Sequence, residues 1–387
     1  MNQIFYDSKT ECWHHYETGR MFGQSQLKAG TEHSFSFSIQ QQDERLGPLV
    51  GILTSGTPKG KLYGDFTRFA AIQAALQRQG GISFVFSPYG LQEEHVEGYV
   101  WLSEKRWYKC RFPYPDVVYN RVPYRKHEQR PETKQAIEQL TNRDIPLFNP
   151  CFFPKWESYQ AFSANEALRP YLLETKLLQT EEDLWHMLHS HKEIYVKQSE
   201  AAKGKHIFSL RFTGDNLVLQ KDLQGEYIQS VSYIWDFLSK QQKPYIAQRA
   251  IAPDMQNGRK YDLRIAAHAL NGTFGISGIG VRLAKKGHIV THVPHGGEII
   301  VQEKLHRPVR YDIIEMLAEQ CGQSLCSRFG RVREFSLDIG VDESGHYYIF
   351  EANSKPMIFD EPHIHTETLH NLLAVFTAEA GFSKLMP

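Results

Sequence analysis

The chain has 387 residues, which is long enough for two or three domains with cores of their own. Its 44 basic residues balance its 44 acidic ones, so the composition gives no sign of a nucleic-acid surface or a polybasic membrane anchor. Hydrophobic residues make up 41% of the chain, and no apolar run approaches the length of a membrane span.

The N-terminus and the cysteines indicate a cytoplasmic protein. The first residues, MNQIFYDSKTECWHH, lack the charged-then-apolar pattern of a signal peptide. The five cysteines are scattered and lack the spacing of a zinc site: Cys12, Cys110, Cys151, Cys321 and Cys326. We therefore expect a reduced protein with free thiols.

The first 150 residues predict two regions. Residues 1–45 include the alternating segment HSFSFSIQ, which is typical of a half-buried strand, and they form a small β-rich segment. From residue 48 an apolar strand is followed by a helix that begins at Asp65. A second strand comes directly after this helix, and a βαβ unit of this kind is typical of a parallel sheet. Residues 46–150 are therefore predicted to be an α/β domain.

The remaining residues, 151–387, predict an α+β domain with mostly antiparallel strands. Residues 151–180 favour two helical pieces that separate near Arg169-Pro170, and a helix over 312–326 precedes a final hairpin. The other predicted strands are 193–197, 206–210, 245–249, 262–270 and 275–283. The predicted fold class is thus α/β followed by α+β.

The final hairpin, within REFSLDIGVDESGHYYIFEANSKP, is a candidate cation site. A two-residue turn within 342–345 would set Asp338 opposite Ile349 or Glu351. In both registers Asp338, Glu351 and Asn353 share one face, because side chains alternate along a strand. Two carboxylates and an amide oxygen suit Mg²⁺ bound together with substrate phosphates. The alternative is an ordinary amphipathic hairpin with these residues facing water.

A standard phosphate loop is absent from the sequence. The segment 56–61 approaches the P-loop pattern, but it is one residue short and Leu62 follows in place of a hydroxyl residue. A strand instead ends at Lys197, and a loop of small residues with a single glycine leads to the next strand. Such a loop can fold over phosphates through its N–H groups and lysine charges. The alternative is a lysine-bearing turn on the surface.

Polar residues recur on the strands that follow. The strand that ends in Gln248-Arg249 could present backbone hydrogen bonds to an adenine edge. Asp262 and Arg264 share a face of a later strand, and Arg282 lies on the strand after that. Buried charges are costly unless they are paired or given a ligand, so the ordered set favours an anionic substrate over a solvent-exposed salt-bridge ladder.

The order of these motifs resembles the ATP-grasp superfamily, and most closely its YheC/YheD-type family, named for spore-coat-associated proteins of endospore-forming bacteria. The segments that carry the resemblance are VVYNRVP, FNPCFFPKW, VKQSEAAKGK, DLRI, SGIGVRL, HGG, LDIGV and EANSKP. The resemblance implies a pre-ATP-grasp domain followed by an ATP-grasp domain with central and C-terminal subdomains. It also implies ATP and Mg²⁺ as cofactors and an association with the spore coat.

The resemblance implies a set of nucleotide contacts. The phosphate contacts would be Lys155, Lys197, Lys203 and Gly204. The adenine contacts would be Gln248, Arg249 and Ile251. Asp262 matches the acidic position that usually meets the ribose. The sequence departs from the family pattern in its single loop glycine, and in Gln248, where many relatives carry an acid.

The remaining implied roles concern catalysis and the metal. Arg282 matches the arginine that stabilises the transferring phosphoryl group, and Arg264 would face phosphate or substrate. The implied metal ligands are Asp338, Glu351 and Asn353, and a loop near the acceptor substrate would contain His295, Gly296 and Gly297.

An active enzyme of this kind would be an ATP-dependent carboxylate–amine or carboxylate–thiol ligase that works through an acyl phosphate. One alternative is a spore-associated binding protein that keeps the fold without the activity. Another is phosphotransfer to an acceptor that is not a carboxylate. The presence of all three implied metal ligands and of Arg282 favours the ligase. The residues do not identify the substrates.

Overall fold

The structure is a computed structural model that describes residues 2–102, 106–201, 206–214, 216–221, 224–228, 230–288, 291 and 296–383. The chain divides into two compact units, residues 1–151 with 366–387 and residues 152–365. The helices are α1 Phe66–Arg78, α2 Arg125–Glu128, α3 Pro131–Thr141, α4 Lys155–Ser163, α5 Glu181–His191, α6 Val231–Ser239, α7 Tyr311–Phe329 and α8 Pro362–Glu379. Within the described residues, none of these helices has the length and apolar character that crossing a membrane requires. The three-part domain division made from the sequence stays a prediction.

The first unit begins with a sheet of seven strands. They are β1 Asn2–Asp7, β2 Cys12–His15, β3 Met21–Phe22, β4 Ser25–Gln26, β5 Lys28–Ala29, β6 Phe35–Gln42 and β7 Arg45–Gly47, in the order β4-β3-β7-β6-β1-β2-β5. The strand β6 contains residues 35–40 of the predicted alternating segment. Its phenylalanines are partly buried and its serines are exposed, so the prediction of a half-buried strand is confirmed.

The predicted βαβ unit forms the centre of the second sheet. The strands β8 Leu49–Leu53 and β11 Ile82–Phe86 are parallel neighbours, and α1 connects them. Asp65 caps α1 by accepting a backbone N–H of its first turn, and Gly80 at φ +76° ends the helix. The other strands are β9 Ser55–Gly56, β10 Leu62–Tyr63, β12 Val96–Leu102, β13 Arg106–Phe112, β14 Val117–Asn120 and β15 Leu147–Phe148. The sheet order is β13-β12-β11-β8-β14-β15, while β9 and β10 form a separate hairpin across the segment that approaches the P-loop pattern.

The second unit contains two antiparallel sheets, and the first has six strands. They are β16 Thr175–Leu178, β17 Glu193–Gln198, β18 Ile207–Thr213, β19 Asn216–Lys221, β20 Gln224–Ile228 and β21 Tyr245–Arg249, in the order β16-β21-β17-β18-β19-β20. The helices α5 and α6 cover this sheet. Leu188 of α5 and Leu238 of α6 share a buried cluster with Ile194 of β17.

The prediction of a second helical piece in residues 151–180 is wrong. After α4, the chain makes one 3₁₀ turn at Arg169–Tyr171 and then forms β16. Pro170 has no backbone N–H with which to continue a helix. Beyond it, β16 pairs antiparallel with β21, so strand pairing over a long sequence separation outweighs the local preference for helix.

The second sheet of this unit has the charged side chains of the predicted site on one face. Its strands are β22 Met255–Gln256, β23 Arg259–Leu270, β24 Thr273–Leu283, β25 Glu298–Ile300, β26 Glu334–Val341 and β27 Tyr347–Asn353. The main order is β25-β24-β23-β26-β27, and β22 pairs with β23. Leu263 and Ile265 of β23 are buried with Leu317 of α7. Because side chains alternate along a strand, Asp262 and Arg264 lie on the opposite face.

The final hairpin differs from its prediction at the tip. Its cross-strand pairs include Val341–Tyr347, Ile339–Ile349 and Asp338–Glu351. The connection is therefore longer than the predicted two-residue turn, and Gly345 occupies it at φ +89°. Phe350 has no partner in this ladder, so it forms a bulge of one residue. Near the tip the pairing fits neither predicted register, and the bulge restores the predicted pairing of Asp338 with Glu351.

Candidate functional site

A row of charged side chains crosses four neighbouring strands of the second unit. Arg282 of β24 pairs with Asp262 of β23, and Arg264 of β23 pairs with Asp338 of β26. Asp338 in turn pairs with Glu351 of β27. Directly opposed residues project from the same face of a sheet. The fold therefore gathers five of the predicted site residues side by side.

Arg282 contacts two carboxylates in this row. Its Nε donates to Asp262 Oδ1 at 2.8 Å and its Nη2 donates to Asp262 Oδ2 at 3.0 Å. The same Nη2 lies 3.0 Å from Asp338 Oδ1. Burial alone would lower the pKa of Arg282, but Asp262 and Asp338 outweigh it and raise the pKa. The row thus contains a salt-bridge ladder, and the ladder is buried instead of solvent-exposed.

Asp262 has both carboxylate oxygens engaged. Besides the Arg282 fork, its Oδ2 accepts a hydrogen bond from the Thr291 hydroxyl, a contact that the sequence did not suggest. Oδ1 accepts only one of these three hydrogen bonds, so it has room for a further donor such as a ribose hydroxyl. The ribose contact stays a prediction.

The two carboxylates predicted to bind metal have opposite electrostatic environments. Asp338 is buried, which raises its pKa, although Arg282 acts to lower it. Burial would also raise the pKa of Glu351, but the Lys155 ammonium, 2.8 Å from Glu351 Oε2, outweighs it and lowers the pKa to about 2. Asn353 Nδ2 donates to Glu351 Oε1 at 3.3 Å. Glu351 is therefore an ionised carboxylate that a protein cation already neutralises.

These residues fit Mg²⁺ when a ligand supplies further oxygens. Among the described residues there is no group of three or more His, Cys, Asp or Glu that could hold a metal by itself. Mg²⁺, however, commonly uses one or two carboxylates together with substrate phosphates. Asp338 Oδ1 is buried and receives no hydrogen bond from the described residues, since its contact with Arg282 lacks hydrogen-bond geometry. A cation beside Asp338 and Glu351 would satisfy this oxygen.

Lys155 connects Glu351 to the predicted phosphate loop. It is the first residue of α4, and its Nζ donates to the Ala201 carbonyl at 2.8 Å in addition to its contact with Glu351. Its backbone N–H donates to the Ser199 carbonyl at 3.0 Å. The first residues of the loop are thereby fastened to a carboxylate of the predicted metal site.

A cavity of about 150 Å³ lies within the second unit and collects most of the predicted nucleotide contacts. Its polar lining includes Lys197, Gln248, Arg249, Asp262, Arg282, Asp338 and Glu351. Its apolar lining includes Leu173, Tyr195, Ile207, Ile251, Pro253, Val341 and Phe350. This combination suits a ligand that has both an aromatic ring and negative charges. Lys155 borders a smaller adjoining pocket that shares Gln248 and Glu351.

Arg264 and Ser336 form a second polar position beside the metal carboxylates. Arg264 Nε and Ser336 Oγ are buried and have no hydrogen-bond partner among the described residues. Burial lowers the pKa of Arg264, whose guanidinium lies 5.1 Å from the centre of the Phe359 ring. Ser336 sits two residues before Asp338 on the same strand, so both face the site. Ser336 could have been suggested from that spacing, but a single serine is a weak signal.

The residues predicted to contact the acceptor substrate, and two of the predicted phosphate contacts, do not lie in the described lining of the cavity. Gly296 and Gly297 do not line the cavity, and the nearest side chain to a Cβ at Gly296 would be Lys285. Lys203, Gly204 and His295 lie outside the described residues. Their roles stay predictions.

The chain resembles solved ligases in fold. Superposition on the ATP-grasp ligase PsnB gives a TM-score of 0.50 at 13% identity, covering 86% of this chain and 99% of that chain. The VanG D-Ala:D-Ser ligase from Enterococcus faecalis gives a TM-score of 0.51 at 10% identity, covering 85% and 99%. At these identities the likeness is one of fold, and the fold is that of the ATP-grasp proteins.

Within this class the chain belongs to the YheC/D-like ATP-grasp family, whose model matches residues 144–377. The endospore coat-associated protein YheD of Bacillus subtilis (strain 168) is 28% identical over 349 residues, which cover 84% of this chain and 77% of that protein. The predicted fold and the predicted family are both confirmed.

Proposed function

We propose that this protein is an ATP-dependent ligase of the ATP-grasp type that joins a carboxylate to an amine or a thiol through an acyl phosphate. The observation that carries the proposal is the cavity of the second unit, in which apolar side chains adjoin Lys197, Arg282, Asp338 and Glu351. The adenine would lie against the apolar lining near Ile251, and the phosphates would lie toward the charged row.

The residues of the row divide the chemistry among them. Lys197 would bind the phosphates, Arg282 would stabilise the transferring phosphoryl group, and Asp338 and Glu351 would hold Mg²⁺. The metal, when bound, would neutralise phosphate charge and orient the γ-phosphoryl group. A carboxylate oxygen of the substrate attacks the γ-phosphorus, the bond to the leaving ADP breaks, and an acyl phosphate forms. The amine or thiol then attacks the acyl carbon, phosphate leaves, and the nucleophile gives up its proton.

Arg264 and Ser336 support a carboxylate as the first substrate. Both present buried hydrogen-bond donors that have no acceptor among the described residues. A buried donor without a partner costs about 1–3 kcal/mol, so an arrangement of this kind favours a ligand that accepts hydrogen bonds. A carboxylate held here would lie next to the strand position of Asp338.

The test is ATP turnover by the purified protein with panels of carboxylates and amines in the presence of Mg²⁺. We expect ADP release that requires both substrates, and formation of a new amide or thioester bond seen by mass spectrometry. ADP release with hydroxyl acceptors and without any carboxylate would instead support phosphotransfer. The matched variant Asp338→Asn should lose turnover, because it removes a charge from the metal site.

A second candidate function is nucleotide binding without turnover. The observation that favours it is that protein cations already neutralise both metal carboxylates, Lys155 at Glu351 and Arg282 at Asp338. Under this alternative, MgATP binds but no acceptor in the panel releases ADP.

We also propose a place of action at the spore coat. YheD is described as endospore coat-associated, and the present chain shares most of its length with that protein. A fluorescent fusion in the sporulating host should gather around the forming spore, whereas uniform fluorescence throughout the cell would contradict this assignment.

A further inference from the structure

Lys197 is a buried cation whose hydrogen-bond partner is neutral. It is 9% exposed, and its Nζ donates to Gln248 Oε1 at 2.6 Å. Among the described residues, no carboxylate lies within ion-pair distance of this ammonium. Burial lowers the pKa of Lys197 to about 8, although Glu351 acts to raise it. A buried charge without a counter-charge is costly, so its retention favours an anionic ligand.

A directed hydrogen-bond chain across three neighbouring strands holds this ammonium. Gln248 of β21 donates through Nε2 to Thr175 Oγ1 of β16 at 3.1 Å. Thr175 Oγ1 donates in turn to the Leu173 carbonyl at 2.9 Å. Thr175 and Gln248 are 6% and 5% exposed, so water does not readily substitute for either partner. These hydrogen bonds therefore fix which end of the Gln248 amide faces Lys197.

The same hydrogen bonds explain why an amide occupies position 248. Lys197 can only donate, so it requires an acceptor. The Thr175 proton is already used on the Leu173 carbonyl, so Thr175 offers only a lone pair and requires a donor. An amide supplies one acceptor and one donor, whereas an ionised carboxylate supplies only acceptors. An acid would also neutralise Lys197.

We propose that Thr175 and Gln248 are positioning residues that hold the Lys197 ammonium in the cavity while leaving its charge free to bind a nucleotide phosphate. This inference rests on the proposed function, because it takes the ligand of the cavity to be ATP. It assigns a role to Thr175, which no sequence motif indicated, and it gives Gln248 a task beyond lining the cavity.

The test compares the binding of ATP and of adenosine, which lacks the phosphates. Gln248→Glu should weaken ATP binding by about tenfold or more, because the new carboxylate pairs with Lys197. Thr175→Val, which removes the hydroxyl at nearly constant volume, should weaken ATP binding by about fivefold. Thr175→Ser should restore it. Adenosine affinity should change less than about twofold in both Thr175 variants, because Thr175 does not line the cavity. Gln248→Glu should weaken ATP binding more than adenosine binding, because only the phosphates meet the ammonium.

Thr377→Val is the matched control. Thr377 is also buried, and its hydroxyl donates to the Leu373 carbonyl at 2.9 Å, but it belongs to the other compact unit and does not line the cavity. It should leave both affinities unchanged. Calorimetry measures ATP binding, ligand-observed NMR measures adenosine binding, and thermal unfolding confirms that each variant is folded.

Three results would overturn the inference. They are equal losses of affinity for ATP and for adenosine, unchanged ATP affinity in Gln248→Glu, and failure of Thr175→Ser to restore ATP binding. If the unmodified protein bound no ATP at all, the proposed function itself would fail. If it bound ATP and the variants behaved like the unmodified protein, only the positioning role would fail.

Discussion

Replacing Arg282 should destabilise the second unit far more than replacing an exposed arginine. Arg282→Ala removes two hydrogen bonds of 2.8 and 3.0 Å to Asp262 and a further contact of 3.0 Å with Asp338. Two carboxylates, with side chains only 8% and 12% exposed, would then lack their counter-charge. Breaking a buried ion pair by removing one partner costs about 3–5 kcal/mol in free energy of unfolding. This is a large part of the stability of a typical domain, about 5–15 kcal/mol.

Arg310→Ala provides a matched control. Arg310 forms a closer ion pair with Asp312, at 2.6 Å, but the two side chains are 62% and 64% exposed. An exposed pair contributes little to the free energy of unfolding, because water and salt screen its charges. Urea denaturation at pH 7 without nucleotide or metal measures both variants, and each unit can give its own transition. Losses of similar size in the two variants would refute the view that Arg282 is a buried counter-charge.

The Arg282 variants also separate stability from catalysis. The double variant Asp262→Asn with Arg282→Met should lose less stability than Arg282→Ala, because one of the two uncompensated charges is removed together with the arginine. Where Arg282→Ala remains folded, we expect ATP binding to persist while turnover is lost. Loss of ATP binding by folded Arg282→Ala would contradict the role of Arg282 at the transferring phosphoryl group.

Three further predictions concern single residues. Lys155→Met should increase the affinity of the protein for Mn²⁺ in the absence of nucleotide, because it removes the ammonium that lies 2.8 Å from the Glu351 carboxylate. Unchanged Mn²⁺ affinity in calorimetry would contradict competition between Lys155 and the metal. Gly322→Ala should lower the free energy of unfolding by about 1–3 kcal/mol in urea denaturation, since the new Cβ would come within 2.2 Å of a phenylalanine ring. Gly275→Ala, whose Cβ would enter open space, should lower it less. Equal losses in the two variants would refute the packing argument. Burial would raise the pKa of Asp183, but Lys176 and two backbone N–H groups lower it to about 2 from an ordinary 3.8. The stability that the Asp183 carboxylate contributes is therefore present above about pH 4 and is lost as the pH falls through 2. Asp183→Ala should lower the free energy of unfolding by about 1 kcal/mol at pH 7. A stability loss of the same size at pH 2 would contradict this.

Strand alternation is what made the carboxylate site predictable. Asp338, Glu351 and Asn353 share a face in both registers that a two-residue turn allows. The hairpin adopts neither register near its tip, and the bulge at Phe350 restores the pairing of Asp338 with Glu351. The bulge at Phe350 was not predictable, because a one-residue insertion leaves no mark on local composition. The helix α1 was predictable since its limits are set locally, by Asp65 at one end and a glycine at the other.

Contacts between distant segments account for what the sequence did not reveal. The strand β16 exists because it pairs with β21, about 70 residues further along the chain. The role proposed for Thr175 depends on that pairing, which places its hydroxyl against Gln248. The Arg282 fork on Asp262 likewise depends on strand register. The residue types suggested that charges would gather, but not which charges would be paired in the absence of a ligand.

The most direct test of the central claim is a crystal structure of the protein with Mg²⁺ and a non-hydrolysable ATP analogue. We expect the adenine against Ile251 and Tyr195, a phosphate oxygen within hydrogen-bond distance of Lys197 Nζ, and Mg²⁺ coordinated by Asp338 and Glu351. An analogue bound outside this cavity would contradict the account, as would one whose phosphates point away from the two carboxylates.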